Sequence, residues 1–171
     1  RRRVRTRRRA LDVYHSGMIT SLPRAGAPAV TREAAIAAAH ACFDDGRFAA
    51  DLGRRIACRT ESQRENSRPD LDAYLTTQMV PALAALGFTS RLFDNPVATG
   101  GPLLVARRDE DPTLPTVLTY AHGDVVLGYD REWRAGLSPW TLAIDGDRWY
   151  GRGTADNKGQ HSINLAALES V

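Results

Sequence analysis

Three glycines fall within nine residues between Gly151 and Gly159, in Gly-Arg-Gly-Thr-Ala-Asp-Asn-Lys-Gly. Such a run cannot continue a helix or a central strand. Glycine, lacking a Cβ, loses the most freedom on ordering and admits backbone turns that other residues resist. The chain must therefore bend sharply here, between a strand-like Arg148–Tyr150 and a segment of helical spacing from about Lys158. The bend also carries a carboxylate, Asp156. It stands 34 positions after His122, in Ala-His-Gly-Asp-Val-Val. One imidazole and two carboxylates (Asp124 and Asp156), each beside small residues, are the ligand chemistry of a catalytic zinc site.

The rest of the chain divides into a helical first part and a strand-rich second part. Ser21 to Val30 is rich in Pro, Gly and Ala and reads as a linker. Thr31 is placed to cap a helix through Ala34–Phe43, ended by Asp44-Asp45-Gly46. Phe48, Leu52 and Ile56 recur every four residues and predict a second amphipathic helix. Ser67-Arg-Pro-Asp70 reads as a third helix start, with a capping hydroxyl, a proline in the first turn and an acid three residues on. Leu71, Leu75, Met79, Leu83 and Leu86 form its apolar stripe. Pro81 should kink it and Gly87 should cap it.

After Gly87, Phe88–Phe93 and Leu103–Arg107 are short and β-compatible. Thr116–Ala121 has no charge and predicts a strand buried on both faces. Thr141–Ile144 and Arg148–Tyr150 flank Asp145-Gly146, a hairpin turn signal. Ile163, Ala166, Ala167 and Ser170 give the final segment its helical spacing. Helices, then strands, then a returning helix predict an α/β sheet flanked by helices.

The net charge of +3 is a property of the first residues. Seven of the first nine are arginine, and taking those seven from +3 leaves −4 for the remainder. Residues 1–17 read as a basic arm, disordered or lying upstream of a true start at Met18. Residues 18–171 read as the amino-terminal part of a metal-binding catalytic domain. An electrostatic arm for nucleic acid or membrane is the competing reading, but no aromatic residue interleaves the arginines to stack on bases. No apolar stretch follows the arginines as a secretory signal requires. Cys42 and Cys58 lie in no Cys/His cluster and read as reduced thiols in a cytoplasmic protein.

His122 and Asp124 follow directly on the uncharged strand. In extended backbone, residues two apart point to one side, so Asp124 can accept the second ring N–H of His122 and fix its tautomer. Alone, His-x-Asp is by default the signature of a structural hydrogen bond. The glycine-rich run shifts the balance, because a carboxylate at its tip can bridge two metal ions. Two other glycine-rich readings fail. A dinucleotide fingerprint needs glycine where Asp156 stands, and a phosphate loop needs Gly-Lys-Ser/Thr where Asn157-Lys158-Gly159 stands. Lys158 is the only lysine among 23 basic residues, which points to a local need. His161 reads as a packing or hydrogen-bonding residue. His40 and His15 have no ligand spacing. Trp133, Trp140 and Trp149 read as packing of the loop and hairpin. Arg152 is left open between a substrate carboxylate and an internal acid.

Taken together, Ala-His-Gly-Asp-Val-Val, Trp133, Ser138-Pro139-Trp140, Asp145-Gly146 and Tyr150-Gly-Arg-Gly-Thr-Ala-Asp-Asn-Lys-Gly159 resemble the amino-terminal half of a zinc-dependent exopeptidase catalytic domain. The family is metallopeptidase family M20, with carboxypeptidase G, aminoacylases, acetylornithine deacetylase and several dipeptidases. The resemblance runs from about Thr116 to Leu168. It implies a three-layer α/β/α domain with a mixed, mostly parallel sheet. His122 would bind one of two zinc ions, with cobalt or manganese as alternatives, and Asp156 would bridge both. Asp124 would be the acid that clamps His122. A cis peptide would join Asp156 to Asn157, although many relatives carry Asp or Met at that second position.

The implied activity is hydrolysis of an amide bond in a short peptide or N-acyl amino acid by metal-activated water. The sequence ends inside a predicted helix. A glutamate pair, a further acidic ligand, a late histidine and a lid domain with dimer contacts are expected beyond Val171. The fragment alone is expected to be inactive. Two rivals stand beside this reading: a non-catalytic binding module on the same fold, and nucleic-acid binding through the arginine arm.

Overall fold

The computed structural model describes residues 30–97 and 100–171. The basic arm of residues 1–17 and almost all of the expected linker lie outside the described residues. Helix α1 is Arg32–Asp44, and the Thr31 side chain accepts a 3.2 Å hydrogen bond from the Ala34 amide, as its capping position predicts. The helix ends where expected, with Gly46 at φ 82°. Helix α2, Arg47–Ala57, turns Leu52 and Ile56 inward. Phe43, Phe48 and Trp149 form an aromatic cluster with ring centroids 5.6–6.2 Å apart, tying both helices to the later hairpin.

Three findings correct the sequence reading of the third helix. Ser67 does not cap with its hydroxyl; its carbonyl instead accepts from the Asp70 and Leu71 amides at 3.1 and 3.2 Å. The helix is also interrupted. Helix α3, Arg68–Tyr74, passes into one π-helical segment, Leu75–Met79, before helix α4, Val80–Ala85. The reason lies in Pro81, which has no N–H to offer the carbonyl four residues back. The ladder slips by one residue, so the Val80 amide reaches back to the Leu75 carbonyl. Thr76 and Thr77 hydroxyls cover the Asp72 and Ala73 carbonyls at 2.9 and 2.7 Å. Of the apolar stripe, only Leu71 is fully buried; the others are half-buried. Gly87, at φ 81°, closes α4 as expected. Its amide bonds to Ala84, and the Phe88 amide bonds to Leu83, both at 3.0 Å.

Strands β1 (Thr89–Phe93) and β2 (Leu103–Arg107) pair antiparallel, as do β3 (Ala143–Asp145) and β4 (Arg148–Tyr150). The two-residue loop of the second hairpin is Gly146-Asp147, one position later than the turn signal implied. Helix α5, Lys158–Glu169, returns against α2. The α/β class holds. The expected mostly parallel sheet is not assembled by the described residues, which carry two antiparallel strand pairs, an antiparallel bridge from Ser138 to Thr141 and one parallel bridge, Glu61 to Val125.

Thr116–Ala121 departs furthest from its expected role. It forms no strand and pairs with no described strand, leaving Val117, Leu118 and Tyr120 at 82, 94 and 83% exposure. A strand exists only through its neighbours, and no described segment flanks this one on either side.

The core lies between α2, α3 and α5. Ile56, Leu52, Leu71, Tyr74 and Leu165 fill it, the aliphatic ones contributing roughly 1.5–3 kcal/mol each on burial. The inward face of α5 is not the Ile163 stripe that the spacing predicted, since Ile163 is 58% exposed. Lys158, His161, Ser162 and Leu165 point inward instead. Polar residues can occupy that face because α2 and α3 bring them partners. The buried Arg55 guanidinium donates to Ser162 Oγ at 2.9 Å, and Ser162 donates to the Lys158 carbonyl at 2.6 Å.

Candidate metal centre

His122 and Asp124 sit in the irregular segment that continues from Thr116–Ala121, and Asp156 in the turn that precedes α5. The fold brings all three together. His122 Nε2 lies 3.1 Å from Asp156 Oδ1, while Nδ1 lies 3.2 Å from both the Asp124 carboxylate and the Asp124 backbone carbonyl. An imidazole held at Nδ1 by a carboxylate presents Nε2 to a metal in a fixed orientation. The three side chains remain open to solvent, at 33, 44 and 78% exposure for His122, Asp124 and Asp156, which leaves the outer face free for a ligand. The donor chemistry fits a zinc ion as part of a ligand set. No group of three potential ligands converges on one point among the described residues.

The turn holding Asp156 is built by its glycines. Gly153 adopts φ 90°, and a Cβ there would lie 3.1 Å from the Lys158 side chain and from Val125. A Cβ at Gly159 would lie 1.8 Å from the Thr154 carbonyl oxygen. The Asp156–Asn157 peptide is cis, as the resemblance implied. Asn157, the departure from the family pattern, accepts the His122 amide on its side-chain oxygen at 3.3 Å, linking the two loops.

Lys158 meets the local need its singularity implied. It is fully buried, donates to the Cys58 carbonyl at 2.6 Å and lies 5.2 Å from the centre of the Tyr74 ring. Burial lowers its pKa to about 8. His161 shares a 2.6 Å hydrogen bond with the Tyr74 hydroxyl, and its Nδ1 has no partner. Burial pushes this imidazole down to about 4, with the Arg55 and Lys158 charges adding to the effect, and burial pushes the Tyr74 phenol up. The structural reading of His161 stands.

Arg152 donates to the Gly128 carbonyl at 3.2 Å and lies over the Trp133 ring, so its partners are internal. Trp133 and Trp140 bond to Gly128 and Asp130 within their loop, and Trp149 packs the hairpin. Cys42 and Cys58 are free thiols. Sequence reasoning missed Thr60 and Tyr74. Thr60 is fully buried and donates to the Gly123 carbonyl at 2.6 Å, between His122 and Asp124. The Tyr74 ring packs where a Cβ on Gly123 would stand, 2.3 Å from Cε1. The bare glycine in His-Gly-Asp was the available signal, since it asks what crowds it.

Residues 118–171 match the family model described as Peptidase family M20/M25/M40. The chain is 31% identical over 126 residues to the Cys-Gly metallodipeptidase DUG1 of Candida albicans (strain SC5314 / ATCC MYA-2876), covering 66% of this chain and 25% of that protein. Among solved structures, human carnosine dipeptidase 1 superposes with a TM-score of 0.69 at 25% identity, over 81% of this chain and 31% of that one. The di-peptidase Dug1p of Saccharomyces cerevisiae shares the fold, with a TM-score of 0.67 at 21% identity over 81% and 30% of the two chains. The chain spans about a quarter of the length of the curated relative it matches. In its 118–171 segment the chain is similar to peptidase family M20/M25/M40, and in sequence and fold to the dipeptidases just described.

Proposed function

We propose that the protein is a metal-dependent hydrolase of the amide bond in a short peptide or an N-acyl amino acid. The observation that carries this reading is the His122 imidazole, held between Asp124 at Nδ1 and Asp156 at Nε2. His122 and Asp156 are the residues that would hold the metal. Asp124 fixes the tautomer that leaves Nε2 free to coordinate. When bound, zinc supplies Lewis acidity and a water of lowered pKa. The chain's own part is to hold the two donors together at a solvent-open edge, backed by the buried Lys158, Tyr74 and His161. The relatives' names, a Cys-Gly metallodipeptidase and a carnosine dipeptidase, make dipeptides the first substrates to try. The same reading includes the remaining ligands and a glutamate proton acceptor beyond Val171, a homodimer through a lid domain, and a cytoplasmic setting in keeping with two free thiols. No described helix is long and apolar enough to cross a membrane.

The test is metal depletion and restoration of the full-length protein, assayed on a panel of dipeptides and N-acyl amino acids. Hydrolysis lost on chelation and restored by zinc, cobalt or manganese is expected. Hydrolysis indifferent to chelation would refute the reading.

A further inference from the structure

The two candidate ligands lie on separate loops, and both loops are fastened to one segment, Cys58–Ser62, in which Thr60 and Glu61 are buried. Toward the His122 loop, Thr60 Oγ1 donates to the Gly123 carbonyl at 2.6 Å. The Val125 amide donates to the Thr60 carbonyl at 2.8 Å, and the Ser62 amide to the Val125 carbonyl at 3.1 Å. Toward the Asp156 loop, Lys158 Nζ donates to the Cys58 carbonyl at 2.6 Å. Thr60 and Lys158 are both fully buried, so neither bond competes with water. Tyr74 forms a common wall, its ring against Gly123 on one side and below Lys158 Nζ on the other.

We propose that Thr60 and Lys158 are positioning residues that bolt the His122 and Asp156 loops to one rail, Cys58–Ser62, and thereby set the spacing of the two ligands. The proposal rests on the metal-site reading above. Without the rail the two loops would be joined only by the part-exposed His122–Asn157 and His122–Asp156 contacts, and a metal would have to order more of the site on binding. The rail does that ordering in advance. Its reach is specific: Thr60 and Cys58 are two residues apart, tied by a 3.0 Å bond from the Thr60 amide to the Cys58 carbonyl, and each addresses a different loop.

The test is zinc affinity of the full-length protein, measured by competition with a chromophoric chelator, alongside the metal-free melting temperature. Thr60→Val keeps the shape and removes the donor; Thr60→Ser keeps the donor. Lys158→Met carries the same question from the other loop. Thr60→Val and Lys158→Met should each weaken zinc binding roughly 10–100-fold, the range for residues that orient metal ligands, and Thr60→Ser should restore affinity to within about threefold. His122→Ala separates the two ideas. If it abolishes binding while folded Thr60→Val and Lys158→Met hold zinc as the parent does, the positioning role is overturned and the metal site stands. If His122→Ala binds zinc as the parent does, both are overturned. Should either rail variant not fold, the other, with Thr60→Ser, decides the matter.

Discussion

His122 Nε2 stands 3.1 Å from Asp156 Oδ1, although 34 residues separate the two in the chain. Nothing local brings them together. The contact depends on the turn at Gly151–Gly159, on the rail at Cys58–Ser62 and on the inward polar face of α5.

Asp124 should act through His122 and not by itself. Replacing it with alanine removes the carboxylate at Nδ1 but leaves the backbone carbonyl, also 3.2 Å away. Zinc affinity of the full-length protein should fall about tenfold, the lower end of the range for such partners. The side chain is 44% exposed, so the metal-free melting temperature should hardly move. Isothermal titration with zinc and a thermal melt separate the two effects.

Gly159 should tolerate no side chain. A Cβ there meets the Thr154 carbonyl oxygen at 1.8 Å, and that is backbone, not a flexible chain end. Gly159→Ala must displace the turn that carries Asp156 and should cost at least about 3 kcal/mol, the top of the overpacking range. Gly136 is a control. It also has a positive φ of 84°, but a Cβ there meets nothing within 4 Å. Gly136→Ala should cost only the left-handed penalty of roughly 1–2 kcal/mol. Urea unfolding of the two variants measures the difference.

His161 should make the fold acid-sensitive. Its pKa lies near 4 against an ordinary 6.5, mainly through burial and then through the Arg55 and Lys158 charges. The groups facing it are Arg55 from α2, the Tyr74 hydroxyl from α3, Lys158 from its own helix and the His122 segment. The folded state therefore binds a proton less readily than the unfolded one. Stability from this residue is complete above about pH 6.5 and is lost as the pH falls toward 4, by about 3 kcal/mol in all. Urea midpoints should drop over that window. In His161→Gln the drop should be smaller; an unchanged slope would assign the acid sensitivity elsewhere.

The sequence announced the elements whose cause is local. Thr31 capping, the Gly87 end, the hairpin at Gly146 and the start of α5 are each set by a few neighbouring residues. What escaped depended on distant partners. Thr116–Ala121 looked like a buried strand because it has no charge, but burial needs neighbours that its own letters do not specify. On α5 the apolar spacing pointed to Ile163, whereas Arg55 and Tyr74, more than 80 residues away, made room for Ser162 and His161. His122, Asp124 and Asp156 were legible as chemistry before their geometry was known. Thr60 was not, because a lone threonine in a connection carries no pattern.

The most direct measurement is the zinc content and affinity of the full-length protein beside its His122→Ala and Asp156→Ala variants. Both side chains are solvent-accessible, so the variants should fold with stability within about 1 kcal/mol of the parent. The parent should bind zinc, and each variant should lose at least about a hundredfold in affinity, as expected when a ligand, not its supporting partner, is removed. Folded variants that bind zinc as tightly as the parent would contradict the metal-site reading.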